Sequence, residues 1–150
     1  MSTPTPLSLL KQKLQSLGQL QGTLALLDWD QAVSMPQGAD ESRAQMIGNL
    51  STRIHDEVLH LNDKKFLEML RRSAAAKRGD ARVIVEETWR QYDRASRLPR
   101  AFVEELALAG SRAQVTWAAA RKENNFRLFA PKLEHMIALK RKEAVLLDKN

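Results

Sequence analysis

Leucine recurs along the first part of the chain at Leu7, Leu10, Leu14, Leu17, Leu20, Leu24 and Leu27, at spacings of 3, 4, 3, 3, 4 and 3. Steps of three and four keep side chains on one side of a helix, so this seam predicts a long amphipathic helix. It starts after Pro4 and Pro6 and runs to about Val33, where Met35-Pro36-Gln37-Gly38 breaks it. Gly18 and Gly22 each weaken its middle by ~1 kcal/mol relative to Ala, so tertiary packing must hold it. Asp40 reads as the N-cap of a second helix with Ala44, Ile47, Leu50, Ile54, Val58 and Leu61 on its apolar face. Asn62-Asp63 then caps a shorter helix carrying Phe66, Leu67 and Leu70, which fades near Gly79; Ala74-Ala75-Ala76 reads as helix interior. Asp80 opens a fourth helix, with Val85, Trp89 and Tyr92 on one face, and Leu98-Pro99 interrupts it. Pro99 fits the first turn of a fifth, which shows Phe102, Leu106, Ala109, Ala113, Trp117 and Ala120 before stopping at Asn124-Asn125. Pro131 starts the last, with Leu133, Met136 or Ile137, Lys140, Ala144 and Leu147 at helical spacing. No segment alternates with period two for long enough to make a strand. The class is all-α: about six helices, long and antiparallel, joined by short turns, in a single helical region spanning 1–150.

Length and composition narrow the class without naming a function. A chain of 150 residues buries roughly 68–70% of its unfolded surface, enough for a real core. Zero Cys excludes disulfides, thiolate metal sites and a Cys nucleophile, and is compatible with a cytoplasmic location. No apolar run approaches the ~18 residues of a membrane span, and no basic stretch followed by an apolar one marks a secretory signal. The formal charge of +6 would point to nucleic acid only if it clustered with aromatics or glycines. Its densest patches are Arg71, Arg72, Lys77 and Arg78; Arg94, Arg97 and Arg100; and Lys140, Arg141 and Lys142. All sit among acidic neighbours or on polar helix faces, so they read as solvated surface and nucleic-acid binding is not expected.

Candidate chemistry is sparse. His55 and His60 share a helix, but five residues apart they diverge by about 140° and cannot chelate one ion as two His four apart can. His135 stands beside Glu134, and adjacent helical residues do not face each other. All three read as surface or boundary histidines. Asp28 and Asp30 flank Trp29, a pair that could do acid–base work, yet two residues apart on a helix they point in different directions, so a capping or Arg-pairing role is expected. Trp29, Trp89 and Trp117 read as core anchors. From the residues alone there is no catalytic, metal or cofactor-binding residue to nominate.

Several stretches in order carry a resemblance. They are Leu27-Asp28-Trp29-Asp30-Gln31 with Met35-Pro36, Gly38 and Arg43-Ala44-Gln45; Tyr92-Asp93-Arg94, Leu98-Pro99 and Val103-Glu104-Glu105; and Trp117, Ala120-Arg121, Phe126, Phe129-Ala130-Pro131 and Leu133-Glu134. In this order and spacing the chain, from about Leu7 to Ala144, resembles the N-terminal part of the carboxypeptidase Taq family, the M32 metallocarboxypeptidases. The resemblance implies a mostly helical, commonly homodimeric, metal-dependent enzyme that releases single amino acids from peptide C-termini. In such an enzyme zinc or cobalt polarises the scissile carbonyl and activates water, with a Glu as general base.

That family's His-Glu-x-x-His helix, its third metal ligand and its substrate-carboxylate motifs lie downstream of the matched region, and none has a counterpart in residues 1–150. No catalytic or metal residue is therefore carried over, and no cofactor is expected in this chain. The apolar stripe of the last helix runs to Leu147 without the Gly or Pro punctuation of earlier boundaries. The expectation is the front portion of a peptidase, inactive alone, whose helices pack on a catalytic region and help wall its groove. Its expected partners are that region or a second copy, the latter through the leucine seam and the three Trp. The alternative is a non-catalytic helical interaction or self-association module.

Overall fold

A computed structural model describes residues 4–61, 63–73 and 78–148, and these form six helices and no strand. They are α1 (Pro6–Val33), α2 (Asp40–Leu61), α3 (Lys64–Arg72), α4 (Gly79–Arg97), α5 (Arg100–Lys122) and α6 (Phe126–Leu147). The boundaries follow local chemistry. Thr5 accepts the Ser8 amide at 3.2 Å and Pro6 fills the first turn of α1, where a missing N–H costs nothing. Beyond α1, Gly38 turns the chain at φ +83°, a conformation that glycine adopts without a Cβ penalty. Asp63 caps α3 by accepting the Lys65 amide at 3.1 Å.

Several sequence expectations move. Asp40 lies inside α2 rather than capping it; with Glu41 it places negative charge in the first turn, where the helix dipole favours it. Gly79, not Asp80, opens α4. Pro131 does not start α6 but sits inside it, because α6 begins at Phe126. A proline there removes only the bond to the Arg127 carbonyl, and both residues are exposed, so water can take that carbonyl. Asn62 and Ala74-Ala75-Ala76 lie outside the described residues.

α2 is the centre of the stack, packed on α5 and α1, while α6 covers α5. Arg100 pairs with Asp56 at 3.0 Å and Arg112 with Glu41 at 2.6 Å, which fixes α2 and α5 as antiparallel. Close approach between them rests on Gly48, where a Cβ would stand 3.1 Å from the Leu108 side chain. The leucine seam turns inward: Leu10 and Leu17 are buried, and Leu7, Leu14, Leu20, Leu24 and Leu27 are half-buried. Its fully buried members, Leu10 and Leu17, are thus used within the chain. Leu10 joins Leu67, Leu70 and Val85 in an apolar cluster flanked by Phe66, Trp89 and Tyr92.

Several residues of the basic patches are paired with acidic neighbours. Arg71 forks onto Glu86 with two 3.0 Å bonds and stacks over Trp89 at 4.9 Å. Arg94 and Lys140 share Glu143, Arg97 holds Asp93, and Lys142 faces Glu105. No helix among the described residues is long and apolar enough to cross a membrane.

Candidate functional site

The C-terminal half of α1 carries the chain's most specific polar geometry. Continuing the seam by four residues from Leu27 arrives at Gln31, whose amide is buried against α5. Its Nε2 donates to the Ser111 carbonyl at 2.9 Å, and the Ser111 hydroxyl donates back to Gln31 Oε1 at 2.7 Å. From α2, Arg43 donates to the Leu27 carbonyl at 3.0 Å and to the Asp30 carboxylate. Asp30 thus has the Arg-pairing role that its helix position suggested. Asp28 points elsewhere, into a cleft of about 440 Å³ between α1, α2 and α5 lined by Leu24, Ile47, Ser51, Leu106, Gly110 and Gln114. Desolvation in this cleft raises the Asp28 carboxyl above its usual range. The two carboxylates therefore do not converge on one point.

The tryptophans divide. Trp89 is half-buried beside the apolar cluster, but Trp29 and Trp117 are 58% and 45% exposed, which corrects their reading as core anchors. Trp29 lies off the seam, and its neighbours Leu26 and Val33 are 61% and 64% exposed on the same outer face. Trp117 instead meets Arg121 at 5.4 Å near the turn into α6.

The histidines are likewise separate. His55 is buried rather than at the surface, and its ring bonds the Leu98 backbone at the α4–α5 corner; desolvation lowers its pKa. A His60 ring nitrogen contacts the Asp56 carbonyl of its own helix at 2.7 Å, and His135 lines a groove of about 380 Å³ between α5 and α6. Among the described residues no three His, Asp or Glu side chains are grouped so that they could hold a metal ion. A second groove residue, Arg112, is held by Glu41, whose carboxyl it lowers to about 2 together with Gln45.

The family model described as carboxypeptidase Taq (M32) metallopeptidase matches residues 9–150. The chain belongs to this family. Curated relatives of this M32 chain include thermostable carboxypeptidase 1 of Thermus thermophilus, 34% identical over 126 residues, covering 82% of this chain and 24% of that protein. Carboxypeptidase 1 of Bacillus subtilis is 28% identical over 124 residues, covering 83% and 25%. The solved BsuCP crystal structure superposes with a TM-score of 0.84 at 26% identity, covering 96% of this chain and 28% of that one. Pyrococcus furiosus carboxypeptidase, apo-Mg, shares the fold at a TM-score of 0.69 and 24% identity, covering 99% and 30%. The M32 chain thus spans about a quarter of the length of its curated relatives.

Pattern reading missed Gln31, Ser111 and Arg43 as the residues that fix α1. For Gln31 a signal existed, since the 3-4 rhythm of the seam ends on it. The exposure of Trp29 was legible by the same rhythm, because the indole lies off that line.

Proposed function

We propose that residues 1–150 act as the N-terminal helical portion of an M32 metallocarboxypeptidase, supporting the catalytic portion and walling its peptide groove. The family-level activity is release of single amino acids from peptide C-termini with a zinc or cobalt ion. On this reading the present residues supply no catalytic or metal-binding group, and they act in the cytoplasm. The observation that carries it is the BsuCP superposition, which covers 96% of this chain but 28% of that structure. Histidines that face separate surroundings support the same reading.

Incubating the purified chain with zinc or cobalt and a peptide substrate should release no C-terminal amino acid above a metal-only control. Metal-dependent release at an enzyme-like rate would overturn the proposal. A second reading, a helical interaction or self-association module, draws on the exposed apolar side chains of α1. It requires sedimentation to show a concentration-dependent dimer.

A further inference from the structure

We infer that the outer face of the C-terminal half of α1, formed by Leu26, Trp29 and Val33, is the seat on which the catalytic portion of an M32 peptidase docks. This inference rests on the proposed function and gives it a location. The three residues are spaced by three and four, so they lie within about 60° of one another around the helix. They are 61%, 58% and 64% exposed. The leucine seam occupies the opposite side and is already packed. A helix that is apolar on both sides is a helix between two layers, and only one of those layers is supplied by α2 and α5.

The face is also held in place. Arg43 and the Gln31–Ser111 exchange tie this half of α1 to α2 and α5, so it meets a partner without first having to be ordered. A large exposed aromatic on a preorganised surface is the type of residue that dominates binding energy. The occupant follows from the length relation: about three quarters of each curated relative lies outside the segment this chain matches. Asp28 takes no part in this face, because its carboxylate points the other way, into the cleft between α1, α2 and α5.

The experiment compares Trp29→Ala and Leu26→Ala in two settings. One is the chain alone; the other is Bacillus subtilis carboxypeptidase 1 with its matched segment replaced by this chain. In the chain alone both variants should leave the thermal midpoint unchanged, because the side chains are already in water. In the active chimera each should lower the midpoint by roughly 2 °C or more, as loss of a docked apolar side chain does. Equal effects in the two settings would overturn the docking seat while leaving the proposed function standing. A chimera that folds but releases no C-terminal amino acid would overturn the proposed function, and the docking seat with it. A Trp29-dependent dimer of the chain alone would assign the face to a second copy instead, which also overturns the inference.

Discussion

Leu10, in the N-terminal half of α1, is 0% exposed among Leu67, Leu70 and Val85. The buried residue nearest the C-terminal end of the same helix is Gln31, and its neighbours are Ser111, Gln114 and the Arg43–Asp30 pair. One half is held by non-directional burial, the other by bonds whose geometry fixes rotation and register. Apolar contact tolerates small shifts because its energy follows area, whereas a buried amide with an unmatched partner loses most of its benefit. The second half can therefore keep an apolar outer face in water without turning it inward. Turning it would carry Gln31 out to solvent and leave the buried Ser111 groups without their partner.

The largest expected effect separates the halves most directly. Leu67→Ala removes a side chain that is 0% exposed and should cost about 2–5 kcal/mol in urea unfolding. Amide exchange should accelerate in α3 and the first turns of α1 before it does so near Gln31. Uniform acceleration along α1 would show one cooperative unit and break the comparison. Next in size, Arg43→Met leaves Asp30 and the Leu27 carbonyl without their donor and should cost about 1–3 kcal/mol. Here exchange should rise from Leu27 to Val33 while the Leu67 cluster stays protected. Arg43→Lys should rescue little, since one ammonium cannot reproduce a fork that reaches two acceptors.

The helical class and the six elements were legible because Pro and Gly punctuate the chain and the apolar steps of three and four are long. Pro36, Gly38 and Pro99 fall at or beside real breaks. Pro131 misled because a proline can sit inside a helix where the carbonyl it frees, here that of the exposed Arg127, faces water. The candidate site was less readable. Hydrophobic periodicity scores Gln31 as a polar interruption, yet the reciprocal bonds with Ser111, 80 residues away in sequence, make it a core residue. Trp29 and Trp117 were assigned by size, and size does not say which side of a helix faces water. No pattern in the sequence announces that His55 reaches Leu98, because that contact arises only when the α4–α5 corner folds onto α2.

His55 tests whether that corner behaves like the apolar half or the bonded half of α1. Its pKa is lowered in the folded chain, mainly by desolvation. A depressed folded value means the native state binds fewer protons than the unfolded chain near neutrality. The associated stability is present above the ordinary value of 6.5 and falls as pH drops through the lower folded value. Urea midpoints measured between pH 7.5 and about 5 should therefore decline in the natural chain. The slope should be shallower in His55→Gln, whatever that variant's absolute stability. Equal slopes would mean His55 is solvated, and the corner would then belong with neither half.

The smallest expected effect concerns Glu41, the far end of the α2–α5 register. Arg112 bonds it at 2.6 and 3.0 Å and Gln45 adds a third bond at 2.9 Å, so its folded pKa falls from 4.5 to about 2. The lowered value means the carboxylate's contribution is complete above the unfolded value and disappears as pH falls from about 4.5 to about 2. The group is exposed, so solvent and salt screen much of it and the effect on folding stays small. NMR titration of Glu41 should show a midpoint well below that of an ordinary glutamate, and Arg112→Gln should move it back upward. If Arg112→Gln shifted the midpoint but left Gln31 amide exchange unchanged, the surface fork would be decoupled from the buried bonds that fix α1. If both changed together, the register set by α2 and α5 would extend to α1, and the bonded half would be a three-helix unit.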